Sequence, residues 1–286
     1  MVRKKIGLVF GGGGAKGFAH VGVLKVLEKY NISIDMVSGT SMGSIVGALH
    51  CLGYSAIEME NLIKTVSWRN LFDLNLPKTG LIKGVKVEKF LREIFKNKTF
   101  SELNKPFFVT ATDILNKQEI VFNKGDVTKA VRASISIPGV FNPVENNGRI
   151  LVDGGVLDNL PIEILKKNGA EIIIAVNLEN LKEKKVIYEK AIVGGNDLNL
   201  PSIFTIISSS INLAEQEMTR VLLSQINEEI ILNPDVEEIG YKDFQKSKIG
   251  IEKGVLETEK RLKDILGKTR GEGFFDRFKN FFKKIF

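Results

Sequence analysis

The stretch Ile6–Gly17, IGLVFGGGGAKG, runs a short apolar segment into four consecutive glycines and then opens a helical pattern near Ala15. An apolar run closed by glycine reads as a buried strand and a tight turn, the first step of an α/β unit. A loop almost without side chains brings backbone N–H groups close to negative charge, and glycine tolerates the positive φ such a turn needs. Two occupants suit it: a nucleotide phosphate, or the oxyanion of an acyl-transfer reaction.

With 286 residues, 43% of them hydrophobic, the chain buries one large core or two modest ones without staples. Its single cysteine, Cys51, excludes an intramolecular disulfide and points to a reducing compartment. Two histidines and one cysteine argue against a His/Cys metal site. The N-terminal MVRKK is basic, as in a signal peptide, yet the apolar run behind it ends at the glycines, so a cytosolic start is expected. No uncharged apolar run reaches the roughly 18 residues that span a bilayer.

From Lys5 to about Leu266 β-rich runs alternate with helical patterns, predicting a central, mainly parallel sheet flanked by helices on both faces. Strands are expected at Lys5–Phe10, Ile34–Ser38, Phe107–Thr112, Glu119–Phe122, Ile150–Val152, Glu171–Asn177 and Glu229–Leu232. Helices are expected at Lys16–Tyr30, Ser41–Leu52, Ala56–Thr65, Val87–Phe95, Pro161–Asn168, Pro201–Ser224 and Lys248–Leu266. Residues 67–84 and 182–200 read as long surface connections.

Directly after the second strand comes Gly39-Thr40-Ser41-Met42-Gly43, a G-x-S-x-G motif followed at once by an apolar helical pattern. In that strand-turn-helix setting the glycines allow close approach, and the sharp turn lifts the Ser41 hydroxyl from the sheet edge. A right-handed βαβ unit brings the glycine loop and this elbow to the same carboxyl edge. The N–H groups of Gly12, Gly13 and Gly14 could then face an oxygen on a carbonyl attacked by Ser41. Phosphate fits less well. A dinucleotide fingerprint wants an acid about 20 residues on, where Ser38-Gly39-Thr40 stands, and a P-loop wants Ser or Thr after Lys16, where Gly17 stands.

A serine nucleophile needs a base. His50 lies nine residues beyond Ser41 on the same predicted helix, about 13 Å along its axis and out of reach. His20 sits in the first helical pattern beside Val21 and Val23, where a packed histidine is the plainer reading. Asp153 ends the apolar run Ile150-Leu151-Val152 and precedes Gly154-Gly155. Alone it reads as an Asp-Gly turn. With a glycine loop, a serine elbow and no usable histidine, a Ser41–Asp153 dyad is the economical account.

These motifs resemble the patatin-like phospholipases, lipid acyl hydrolases that include bacterial relatives of neuropathy target esterase. The family's G-G-G-x-[RK]-G, G-x-S-x-G and D-G-[GA] appear as Gly12 to Gly17, Gly39 to Gly43 and Asp153-Gly154-Gly155. Arg132-Ala133-Ser134, Ile137 to Phe141, Asn159-Leu160-Pro161 and Asp113 extend the likeness over about residues 5–260. Asp158 departs from it, since relatives often carry a polar amide there. The resemblance implies a three-layer fold, a Ser41 nucleophile, an Asp153 base and an oxyanion hole at Gly12, Gly13 and Gly14. Lys16, Gly17, Gly39, Gly43, Gly154 and Gly155 support the motifs. Neither metal nor organic cofactor is implied, and a phospholipid or other lipid ester is the expected substrate. Lys16 could pair with a nearby acid or sit by the substrate's head group.

The chain ends FFDRFKNFFKKIF, with six of its 18 phenylalanines in residues 274–286. On a helix, Phe274, Phe275, Phe278, Phe281, Phe282, Ile285 and Phe286 fall in an arc of roughly 140°, with Lys279, Lys283 and Lys284 opposite. Residues 267–286 hold six basic and two acidic side chains, which accounts for over half of the net charge of +7. Such a helix suits the surface of an anionic membrane and is too short to cross one; docking on the domain is its alternative. The expected organisation is a hydrolase domain over 1–266, a glycine-containing spacer over 267–273 and a surface helix over 274–286, peripheral to the inner face of a membrane. No nucleic-acid partner is expected. Hydrolysis of soluble esters, or silent membrane binding, are the alternative functions.

Overall fold

The computed structural model describes residues 3–71, 80–179 and 203–270. In chain order β1 (Ile6–Phe10) passes through a 3-10 turn at Gly14–Gly17 into α1 (Phe18–Lys29), and β2 (Met36–Gly39) enters α2 (Met42–Cys51). There follow α3 (Ala56–Thr65), α4 (Trp68–Leu71), β3 (Gly80–Ile82), α5 (Val85–Phe95), β4 (Phe107–Asp113), β5 (Gln118–Phe122) and α6 (Val127–Ser134). Next come β6 (Gly139–Phe141), β7 (Val144–Asn146), β8 (Arg149–Asp153), α7 (Ile162–Lys167) and β9 (Ile172–Val176). The described chain closes with α8 (Ile203–Ser224), β10 (Ile230–Leu232), α9 (Ser247–Lys260) and α10 (Leu262–Arg270).

The main sheet has the order β10-β9-β1-β2-β4-β8-β7, with β5 paired to β4. From β10 to β4 every pairing is parallel, while β5, β8 and β7 are antiparallel additions at one side. Within its parallel part β1 and β9 lie side by side and are fully apolar, as strands buried on both faces must be. Leu8, Phe10 and Val37 face a core shared with α1, α2, α5, α6 and α9, whereas Val9, Phe108 and Ile173 face α7 and the end of α8. The expected three-layer α/β architecture is therefore present.

One detail of the sheet positions the site. On one edge of β4, Val109 pairs with Gly39, the last residue of β2, and Ala111 pairs with Asp153, the last residue of β8. The other edge of β4 is occupied throughout this stretch by β5. Strands β2 and β8 therefore approach from opposite directions along a single edge and stop either side of Thr110.

All seven expected strands are present, with ends shifted by a residue or two; Ile34–Ser38 becomes Met36–Gly39, and Asp35 Oδ2 accepts the Ile6 N–H at 2.7 Å. Five short elements lacked a sequence signal long enough to read: α4, β3, α6, β6 and β7. The predicted helix Lys248–Leu266 is two, broken at Arg261, and its second part continues to Arg270. Residues 267–270 of the expected spacer are therefore helical, a correction to that part of the spacer. The connection 67–84 holds α4 and β3 at its two ends. Residues 182–200, the remainder of the spacer and the helix carrying Phe274, Phe275, Phe278, Lys279, Phe281, Phe282, Lys283 and Lys284 lie outside the described residues.

Helices α1 and α9 cross with their backbones nearly touching. A Cβ on Gly22 would stand 2.0 Å from the Ile251 carbonyl oxygen, and one on Gly254 would stand 2.0 Å from that of Ala19. Since α1 begins directly after the glycine loop, this crossing anchors the loop's far end. Gly254→Ala should lower unfolding free energy by about 1–3 kcal/mol, read from the midpoint of urea denaturation.

Candidate active site

Ser41 sits between β2 and α2 with φ 53° and ψ −124°, a strained conformation for a residue with a side chain. Two close approaches force it: a Cβ on Gly43 would lie 2.2 Å from the Phe10 oxygen, and one on Gly39 would lie 2.6 Å from the Gly43 oxygen. The Ser41 N–H donates to Ser134 Oγ at 2.9 Å, so α6 helps hold the turn. Thr40 Oγ1 meets Thr110 Oγ1 at 2.7 Å and donates to the Asp158 carbonyl at 3.0 Å, tying elbow, β4 and the loop after β8 together.

Ser41 Oγ donates to Asp153 Oδ2 at 2.7 Å, and both residues are buried. The other carboxyl oxygen, Oδ1, accepts the Gly155 N–H at 2.9 Å. Gly154 is required because a Cβ there would lie 2.3 Å from Thr110 Oγ1. The Asp153 N–H donates to the Ser136 carbonyl at 3.0 Å; Arg132 in turn donates to Ser136 Oγ at 2.8 Å and to the Lys83 and Asn142 carbonyls. Burial pushes the Asp153 carboxyl up to about 7, against the opposing pull of the hydrogen bonds from Gly155 and Ser41.

The glycine loop lies beside the serine, since a Cβ on Gly12 would stand 3.3 Å from Ser41 Cβ. Its peptides are oriented from outside. His20 Nε2 is 2.8 Å from the Gly11 carbonyl, and burial lowers this histidine to about 4, so it is neutral and donates. The Gly12 N–H of that same planar peptide points the opposite way, to the Asn159 carbonyl at 3.2 Å and Asn159 Oδ1 at 3.1 Å. This corrects the expectation for Gly12, whose N–H is already occupied. Among the described residues no hydrogen bond occupies the N–H groups of Gly13, Gly14 or Met42. The N-terminus of α2 starts at Ser41, adding the partial positive charge of a helix end.

Lys16 is buried, with Nζ 4.5 Å from the centre of the Tyr241 ring. Tyr241 Oη donates to Glu179 Oε1 at 2.8 Å, and Gln216 of α8 donates to Glu179 Oε2 at 3.1 Å. Glu215, also on α8, faces the D-G-G turn: a Cβ on Gly155 would lie 2.8 Å from its Oε1. Burial, with Asp153 and Glu179 nearby, pushes Glu215 up to about 8, opposed by Lys16. Lys16 thus lies against the Tyr241 ring with Glu215 among its neighbours. Gly17 is needed for packing, since its Cβ would lie 2.2 Å from Met42 Cγ. Asp113 shapes the β4–β5 turn through the N–H groups of Leu115 and Asn116. Asp158 accepts the Leu160 N–H and is raised by burial to about 7. His50, half-buried near the end of α2, stays outside the site.

Sequence reasoning did not find Thr110, Glu179, Glu215 or Tyr241, which carry no local motif. Ser134 and Asn159 stood in quoted stretches, but their roles depend on partners 93 and 147 residues away.

Burying Asp153 has a measurable consequence. An unfolded aspartate titrates near 3.9, and the folded one near 7, so the folded state binds this proton more tightly. The stability it contributes is complete below about pH 4 and is lost as pH rises to about 7. Asp153→Asn should therefore exceed the wild type by about 2–4 kcal/mol at pH 8 and match it near pH 4, as compared by urea denaturation at both values.

A family model described as patatin-like phospholipase matches residues 8–166. Lysophospholipase NTE1 of Meyerozyma guilliermondii is 38% identical over 185 residues, 63% of this chain and 13% of that protein. Lysophospholipase NTE1 of Candida albicans is 36% identical over 185 residues, again 63% of this chain and 13% of its own length. The chain thus corresponds to a small part of these curated relatives. Among solved structures, VipD from Legionella pneumophila superposes with a TM-score of 0.58 at 15% identity, over 90% of this chain and 67% of that one. The type III effector protein ExoU does so at 0.50 and 14%, over 91% of this chain and 53% of that one. At these identities the two structures speak for the fold alone, and the family model carries the assignment: the chain belongs to the patatin-like phospholipase family of lipid acyl hydrolases.

Proposed function

We propose that this chain cleaves carboxylic esters of lipids through a Ser41–Asp153 dyad, at a membrane surface. The observation that carries this reading is the 2.7 Å hydrogen bond from Ser41 Oγ to Asp153 Oδ2 inside a buried site. As Oγ attacks the ester carbonyl, Asp153 takes its proton and then returns it to the leaving alcohol. Water, activated by the same carboxylate, cleaves the acyl-enzyme. An ordinary aspartate is a weak base for a hydroxyl; one raised to about 7 is matched to work near neutrality. The tetrahedral oxyanion is assigned to the N–H groups of Gly13 and Gly14, with Met42 N–H at the helix start as a third donor. The name of the fungal relatives, lysophospholipase, supports a single-chain phospholipid as substrate class. No helix among the described residues is long and apolar enough to cross a membrane, and the basic, phenylalanine-rich residues 274–286 are assigned to contact with anionic lipid.

Ser41→Ala should reduce release of fatty acid from lysophospholipid by at least about a thousandfold while leaving the circular dichroism spectrum intact. Because the base works deprotonated, kcat/KM should climb about tenfold per pH unit below 7 and level off above it. A flat profile between pH 5 and 8, or turnover by the folded Ser41→Ala chain, would refute the dyad. Deleting residues 272–286 should remove the salt-sensitive part of sedimentation with anionic vesicles, lowering it at low salt to the level seen at high salt, yet preserve cleavage of a soluble short-chain ester.

A further inference from the structure

Helix α8 is inside-out. The side chains it turns toward the protein around the site include Asn212, Glu215, Gln216 and Thr219, of which Glu215 and Gln216 join the cluster beside Asp153. Leu222 and Leu223 at its end pack on the core, but five of its large apolar side chains point the other way. Leu213 is 60% exposed and Val221 55%, and Ile206, Ile207 and Met218 are exposed with them. At about 100° per residue these five share an arc of about 140°. An ordinary surface helix does the reverse, burying its apolar stripe.

The place of this face narrows its occupant. Helix α8 packs against β6 and against the 3-10 turn Gly154–Val156 that follows Asp153, so the helix that carries this face lies directly beside the base. Leu157, four residues past Asp153, and Ile114 and Leu115, where β4 turns into β5, are also exposed. The other large apolar side chains exposed among the described residues, Ile57, Val85, Val121 and Leu256, lie on separate elements. Within the α8 face the acid Glu217 is paired at 3.2 Å with Arg220 at its border, so the patch has no net charge of its own. An exposed apolar helix face of this kind marks an interaction site, and an uncharged one beside a lipid-ester site suits hydrocarbon rather than charged head groups.

We propose that the outer face of α8 docks on a lipid layer, sinking Leu213, Val221 and their neighbours among the acyl chains next to Ser41. This rests on the lipid-hydrolase reading above. It differs from the contact assigned to residues 274–286 in being apolar and therefore insensitive to salt.

The test uses the full chain and phosphatidylcholine vesicles in about 0.5 M salt, where basic contacts are screened. The wild type should sediment with the vesicles. Leu213→Ser/Val221→Ser should lower that partition by about tenfold or more and slow hydrolysis of the vesicle lipid in step, leaving a soluble short-chain ester cleaved at the wild-type rate. Ile57→Ser/Leu256→Ser should change neither. The two α8 positions are exposed, so folding is expected to survive, and circular dichroism checks it. Should either partition remain unchanged in the folded α8 variant, or sedimentation velocity reveal a lipid-free dimer that the substitutions dissociate, the assignment is overturned; the second result gives the face to another copy of the chain. A wild type that binds these vesicles through α8 but cleaves neither ester would count against the hydrolase reading and still support the docking surface.

Discussion

The site depends on two strands stopping on the same edge of a third. Because β2 ends opposite Val109 and β8 ends opposite Ala111, the residues that follow each strand must pass one another within a few ångströms. Thr110, between the two pairings, is the pivot: its hydroxyl meets Thr40, and its proximity requires glycine at 154. A serine raised on a tight turn from one side and an aspartate ending the strand from the other are thereby brought to hydrogen-bond distance. The strained backbone of Ser41 is a consequence of the same crowding, held by neighbours at Ser134, Gly39 and Gly43.

Around this pivot the fold supplies polarity from backbone and remote side chains instead of mobile charged groups. His20 orients one peptide of the glycine loop, Asn159 occupies the N–H of that peptide, and Arg132 holds Ser136, whose carbonyl accepts the Asp153 N–H. Donors fixed in this way need no reorganisation when charge develops on a carbonyl oxygen, which is the physical advantage of a preorganised site. Burying a carboxyl to make it more basic destabilises the folded chain at neutral pH. Proteins tolerate such costs at functional sites when the rest of the core is well packed, as the all-apolar β1 and β9 are here.

Helix α8 connects the site to the protein's exterior. Its inward polar side chains complete the acidic cluster around Asp153 and Lys16, and along that stretch the apolar residues from Ile206 to Val221 are left on the outside. Conflict between local pattern and solvent is thus a by-product of building a polar site under a helix, and it yields an apolar rim where a lipid substrate would arrive.

Local sequence determined much of this. The strand-loop-helix units at residues 6–30 and 36–51, the parallel centre of the sheet, the elbow at Ser41 and the acid at Asp153 all follow from short-range patterns, since apolar period and glycine placement act over a few residues. What the sequence left undecided came from contacts over long separations. The occupied N–H of Gly12 depends on Asn159, the neutral state of His20 on complete burial, and the setting of Lys16 on Tyr241 and Glu215, more than 190 residues away. Short elements such as α6 and β7 exist because neighbours complete their hydrogen bonds and cores, so no periodicity of their own announces them. The residue types were legible one by one; which of their hydrogen bonds are already taken is decided only when distant strands share an edge.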